Sequence, residues 1–168
     1  MKNRKRSGFV FEICVVGFLL GGCISYSVYS PLPPEQGVYP AGSFGMPLAS
    51  ATVISEFGPR GRRFHTGIDL KGKPKGGDPV LASRMGRVTM LTILSGYGKI
   101  IEMTHDDGFK TRYAHLKSFK VTLGQKVKAG QVIGIVGKTG RATTAHLHFE
   151  ILTPKSRFLN PRPFLPLK

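Results

Sequence analysis

The chain has 168 residues, room for one domain, with 25 Lys and Arg against nine Asp and Glu and a formal charge of +16. The basic residues are spread along the sequence, with one short cluster at Arg60, Arg62 and Arg63 and no aromatic-interleaved basic motif, which argues against nucleic acid as the partner. Two cysteines, Cys14 and Cys23, exclude a disulfide framework.

In chain order, Lys2, Arg4, Lys5 and Arg6 precede an apolar run from Phe9 to Leu20, interrupted only by Glu12 and Gly17. A cationic start and an apolar run of about 12 residues, short of the roughly 20 of a permanent span, predict a secretory signal peptide over residues 1–22. The run ends in Leu20-Gly21-Gly22-Cys23, which resembles a lipobox: two small residues before a cysteine whose thiol takes a lipid after cleavage. The expectation is an exported bacterial lipoprotein, held on a membrane through Cys23 and facing the cell wall. Ile24 is not the aspartate that retains such proteins at an inner membrane, which leans towards an outer membrane where there are two. Residues 1–22 carry four Lys and Arg and one Glu, so +13 of the charge lies beyond them. For an exported chain the fitting polyanions are anionic wall polymers or lipid headgroups.

Residues 23–47 contain Pro31, Pro33, Pro34, Pro40 and Pro47 among Gly and Ser, a tether-like composition, and a folded domain is expected over 48–168. There, short β-rich runs alternate with Gly and Pro, and no window of about 11 residues has helical periodicity. Lys99–Thr104 and Lys110–Leu116 read as a hairpin around Asp107-Gly108, and Gln131–Val136 and Leu147–Leu152 as two further strands. The fold expected is a single, mainly β domain, an antiparallel sheet or sandwich.

Four of the five histidines are organised. His65-Thr66-Gly67-Ile68-Asp69 places an imidazole and a carboxylate four residues apart, and His146-Leu147-His148 alternates on a predicted strand. Successive side chains of a strand point to opposite faces, so His146 and His148 share one face, about 7 Å apart, while Leu147 and Phe149 face the core. Catalytic zinc takes three protein ligands, drawn from His and carboxylate, and keeps a fourth position open. His65, Asp69 and one histidine of the second pair make such a set. His105, beside Asp106-Asp107-Gly108, reads as structural or exposed. Tyr97 and Tyr113 are candidates for the groove wall, but their β-rich setting favours packing.

His65-Thr66-Gly67-Ile68-Asp69, Tyr113-Ala114-His115-Leu116 and His146-Leu147-His148, in this order, resemble the lysostaphin and LytM-type zinc metallopeptidases. Phe57-Gly58, Gly96-Tyr97-Gly98, the segment from Gly124 to Gly134 and Asn160-Pro161 extend the resemblance over roughly Ile54 to Leu165. It implies a lysostaphin-like domain of the duplicated hybrid type. It implies one Zn2+ held by His65, Asp69 and His148, with His115 and His146 as the catalytic histidines that contact the bound water. The implied activity is hydrolysis of cross-link or stem peptides of peptidoglycan. The sequence departs from some relatives by having Pro59-Arg60-Gly61-Arg62-Arg63 where they place an oxyanion-steadying tyrosine, so that role is unassigned.

Gly137-Lys138-Thr139 resembles the end of a phosphate-binding loop, but Val132 stands where its first glycine is required. Val127–Gly137 resembles a biotinyl or lipoyl carrier segment without the lysine of its modification motif. The rival of a different class is a non-catalytic envelope lipoprotein that binds the wall or activates an amidase. Relatives of that kind have lost site histidines or ligands, and this chain keeps all five positions.

Overall fold

A computed structural model describes residues 43–167. The expected signal peptide, Cys23 and most of the expected tether lie outside the described residues. In chain order the strands are β1 (Thr52–Ser55), β2 (Gly58–Arg60), β3 (Arg63–His65), β4 (Ile68–Lys71), β5 (Pro79–Leu81), β6 (Gly86–Leu94), β7 (Gly98–Thr104), β8 (Lys110–Phe119), β9 (Lys126–Val127), β10 (Val132–Val136), β11 (Leu147–Leu152) and β12 (Phe158–Leu159). A single 3-10 turn, Arg162–Phe164, is the only helical element among the described residues, and none of these is long and apolar enough to cross a membrane.

The expected mainly β, antiparallel domain is what forms. One sheet runs β1-β4-β11-β8-β7-β6-β9, with β10 pairing both β5 and β8 and β12 pairing β11; β2 and β3 form a separate ribbon. The four strands read from the sequence correspond to β7, β8, β10 and β11. The β7–β8 connection turns at Gly108, whose φ of 80° is the left-handed conformation glycine accepts readily.

β11 is the centre of the site's support. All six of its residues are buried, and it pairs with β4 on one edge and β8 on the other. The register sets His148 opposite Asp69 of β4 and opposite Ala114 of β8. Ile68, Leu70, Leu147, Phe149 and Ile151, each 0 % exposed, anchor these strands in the apolar core. Three adjacent strands thus carry the HxxxD aspartate, the HxH pair and the tyrosine-containing motif to one place.

Residues 43–47, which composition places in the tether, pack onto the sheet. Phe44 is buried between the rings of His105 and Phe164, and the Phe44 and Gly45 amides donate to Phe164 and Ser83 carbonyls at 3.1 and 2.6 Å. A proline-rich composition says nothing about an aromatic side chain that finds an apolar slot.

Candidate metal centre

His65 ends β3, and two residues on, Gly67 brings the chain against β11 before Asp69 enters β4. A Cβ on Gly67 would lie 2.3 Å from the Phe149 carbonyl oxygen and 3.0 Å from His148 Cε1, so only glycine lets this turn seat against the HxH strand. His65 Nε2, Asp69 Oδ1 and His148 Nδ1 then converge, at 3.1 Å (His65–Asp69), 3.0 Å (His65–His148) and 2.9 Å (His148–Asp69). All three residues are buried.

The donor set fits zinc. Tetrahedral bonds of about 2.0–2.1 Å set neighbouring ligand atoms roughly 3.3 Å apart, close to the separations found. The outer partners bear on the tautomers. His65 Nδ1 lies 2.7 Å from the Glu56 carbonyl, to which it would donate with a metal on Nε2, and 2.7 Å from the Arg60 guanidinium, which can only donate to it. His148 Nε2 donates to Glu150 at 2.9 Å, leaving the Nδ1 lone pair. Arg60 donates to the other Asp69 oxygen, Oδ2, at 3.0 Å and also reaches Ser55. In the metal-free chain His65 Nε2 and His148 Nδ1 carry protons: although burial raises the Asp69 pKa, hydrogen bonds from His148, His65 and Arg60 then hold it far below the usual carboxylate range. It is ionised throughout the neutral range.

His115 and His146 face the convergent atoms from the open side. His146 Nε2 lies 3.7 Å from Asp69 Oδ1, and the His115 ring centroid is 4.7 Å from that of His146 and 5.9 Å from that of His148. Each Nδ1 donates to a backbone carbonyl, His115 to Thr139 at 2.8 Å and His146 to Thr144 at 2.9 Å. With Nδ1 so occupied, each ring has its Nε2 left for the site. Burial lowers the His115 pKa to about 4, and the neighbouring His146 and His148 add to the shift.

His115 has φ 61°, in the left-handed region, at an irregularity where β7 passes from Lys99↔Leu116 to Ile101↔Tyr113. A left-handed non-glycine residue costs about 1–2 kcal/mol. The bulge turns its ring towards the site; its amide donates to the Tyr97 carbonyl at 2.9 Å and its carbonyl accepts from Gly137 at 3.1 Å.

All five residues singled out from the motifs meet in one groove. His105 does not join them: it is buried, with Nδ1 2.7 Å from the Met85 carbonyl and Nε2 3.0 Å from Thr111 Oγ1, a packing role. Tyr113 is also core, its hydroxyl bonded to Ser83 and Thr111. Tyr97, by contrast, lines the groove and donates to Glu150 at 2.9 Å. The groove's walls are the β2–β3 ribbon, Ser95–Tyr97 and Arg141–Thr143.

Sequence reasoning passed over Glu150. It is 0 % exposed and accepts from His148, Thr66 and Tyr97 through Oε1, with Arg112 3.6 Å from Oε2. Burial pushes its pKa up, but these partners, His148 foremost, bring it below the ordinary value. Its position carries a signal: it is the third member of the His146, His148, Glu150 alternation, an acid inside a strand whose residues other than His148 are apolar.

Residues 63–161 match the model of peptidase family M23. The chain is 42% identical over 110 residues to the DD-carboxypeptidase/endopeptidase Mpg of Neisseria meningitidis, a match covering 62% of this chain and 25% of that protein. It is 39% identical over 115 residues to the murein hydrolase activator NlpD of Escherichia coli, covering 68% and 29%. The chain thus spans about a quarter of the length of these curated relatives. Among solved structures, the catalytic domain of lysostaphin from Staphylococcus simulans superposes with a TM-score of 0.62 at 31% identity, over 68% of this chain and 91% of that one. A zinc-containing peptidase from Vibrio cholerae superposes at 0.66 and 31% identity, over 73% and 40%. With a family match over more than half its length, and with His65, Asp69 and His148 grouped so that they could hold a metal ion, the chain belongs to peptidase family M23.

Proposed function

We propose that the chain is a zinc endopeptidase of the bacterial cell envelope that hydrolyses cross-link or stem peptides of peptidoglycan. The observation that carries this is the meeting of three metal donors and two imidazoles anchored through Nδ1 in one groove open to solvent. When bound, zinc supplies a water of lowered pKa and a Lewis acid for the scissile carbonyl. His65 Nε2, Asp69 Oδ1 and His148 Nδ1 would hold the ion, with the Glu56 carbonyl and Glu150 fixing the imidazole orientations. His115 and His146, locked by Thr139 and Thr144, are the acid–base pair: a free Nε2 accepts a proton from the attacking water and returns it to the leaving amine. The pKa of about 4 in the metal-free chain leaves the His115 ring neutral throughout the neutral range. Upstream, residues 1–22 serve as a signal peptide, and the residues from Cys23 to the start of the packed segment at Ser43 as a tether from a lipid on Cys23 to the domain.

The test is release of fragments from peptidoglycan of several wall types by the full chain, with and without a chelator. Near-stoichiometric zinc and chelator-sensitive release are expected, with His148→Ala folded but inactive; equal activity in that variant sinks the proposal. Similarity to a protein described as a murein hydrolase activator favours a second reading, in which the domain binds wall and stimulates an amidase. Bound zinc with no hydrolysis of any wall type, together with faster amidase turnover on mixing, would establish it. For the anchor, Cys23→Ala is expected to move the chain from the membrane to the soluble fraction.

A further inference from the structure

The groove's charge is one-sided. Among the described residues Asp69 is its only carboxylate, and that is a metal donor, whereas Arg60, Arg63 and Arg141 all line it. Arg60 and Arg63 face each other in register across the β2–β3 ribbon. Like charges directly opposite destabilise a strand pair, and a two-stranded ribbon is marginal to begin with. Arg60 is offset by Asp69 Oδ2. Arg63 is exposed, and neither it nor Arg141 forms an ion pair among the described residues. The acids that pair other arginines are engaged away from the groove: Glu56 with Arg162, Glu102 with Arg112, Asp107 with Arg84.

Arg141 stands on a built wall. Its amide donates to the Gly96 carbonyl at 2.9 Å, and Gly140, at φ 72°, packs so closely that a Cβ would lie 2.4 Å from Gly96 O and from Gly98 N. One residue earlier, the Thr139 hydroxyl accepts from the Lys99 amide and donates to the Leu116 carbonyl. The loop that orients His115 thus also presents Arg141 to the groove that Arg63 lines.

We infer that the groove takes a peptide bearing free carboxylates beside the bond to be cut, with Arg63 and Arg141 as the carboxylate-binding, specificity-determining side chains. The guanidinium fork matches a carboxylate bidentately. A neutral oligoglycyl strand would leave both arginines without a partner. This deepens the peptidase reading and rests on it for the identity of the scissile bond.

The test uses the full, zinc-loaded chain with two synthetic peptides, one containing a D-alanyl–diamino acid bond with free carboxylates, the other the same peptide with every carboxylate amidated. kcat/KM is measured for both, and binding of both is measured in the His115→Ala background, where turnover is not required. Wild type is expected to prefer the free-carboxylate peptide about tenfold or more, the scale of a charge-assisted hydrogen bond. Arg63→Gln and Arg141→Gln each reduce that preference, whereas Arg157→Gln, outside the groove, leaves it intact. Equal use of both peptides by wild type, or a preference that survives both groove substitutions, overturns the inference. Preferential binding without hydrolysis upholds it and sinks the peptidase reading instead.

Discussion

Glu150 is fully buried and ionised, a state that costs several kcal/mol unless partners surround the charge. Its partners are His148, Thr66, Tyr97 and Arg112, so the network also holds His148 in the tautomer that offers Nδ1 to a metal. Glu150→Gln keeps an acceptor for His148 and removes the charge behind it. Zinc affinity is expected to fall about 10–100-fold, the usual effect of losing an outer partner of a ligand, as read by competition with a chelator; unchanged affinity would reduce Glu150 to a packing residue. Protonation of the ligands follows from the same contacts. Burial alone would lower the His148 pKa, but Asp69 and Glu150 outweigh it and raise it to about 9 in the metal-free chain. A histidine raised in this way stabilises the fold fully below its unfolded value of about 6.5 and loses that contribution as pH rises through 9. His115, lowered mainly by burial to about 4, has the opposite sign: its contribution is full above about 6.5 and is lost as pH falls towards 4. The metal-free chain should therefore be most stable near pH 6.5, with urea midpoints falling on both sides. A midpoint still climbing from there to pH 9 would contradict this. At neutral pH, zinc must displace the His148 proton, which calorimetry in two buffers of different ionisation enthalpy would count as one proton released.

At the scale of elements, the site depends on two irregularities: the β8 bulge at His115 and the loop from Gly137 to His146 that packs on the Gly96–Gly98 turn. Gly140→Ala tests the loop. The substitution forces a Cβ to 2.4 Å from backbone atoms at a φ of 72°, so the loop must lift from Gly96 and carry the Thr139 carbonyl away from His115. Zinc stoichiometry is expected to hold, because the three donors stand on β3, β4 and β11, while kcat falls at least about tenfold through lost orientation of His115, the proposed general base. Loss of zinc in step with activity would show that the loop supports the metal instead. The same two irregularities mark the limit of what the sequence reveals. His65-x-x-x-Asp69 and His146-x-His148 are legible because strand alternation and donor chemistry act locally, and the flanking apolar runs locate β7, β8, β10 and β11. A left-handed φ at His115 leaves no local trace, since it is imposed by two strands pairing with β8 out of step. The groove wall is likewise non-local: Arg60 reaches Asp69 because the β2–β3 ribbon folds over β4, not because of any motif they share.

At the scale of the whole molecule, the domain closes where its two described ends meet. Phe44 stacks edge-on against His105 at 5.5 Å and Phe164 at 6.1 Å, with the Arg84 guanidinium 5.4 Å from its ring centre, so one side chain ties the entry of the chain to the β7–β8 hairpin and the final 3-10 turn. The Leu81 amide adds a bond to the Pro47 carbonyl at 2.9 Å, fastening the same segment to β5. A boundary set by proline content at residue 48 cuts through this closure. Burying a phenylalanine stabilises by about 1.5–3 kcal/mol, and truncating one in a packed site costs about 3–5 kcal/mol because a cavity remains. Phe44→Ala in the full chain is therefore expected to lower stability by about 3 kcal/mol, as a shift of the urea midpoint at constant m-value, and a chain beginning at Leu48 should lose a comparable amount. His105, a packing residue in contact with Phe44, belongs to this closure and not to the metal centre. Zinc binding should therefore survive Phe44→Ala at temperatures where the variant is folded. If both chains instead unfold at the wild-type midpoint, residues 43–47 are tether and the domain is stabilised without them; if zinc affinity falls with stability, the closure and the metal centre are one cooperative unit.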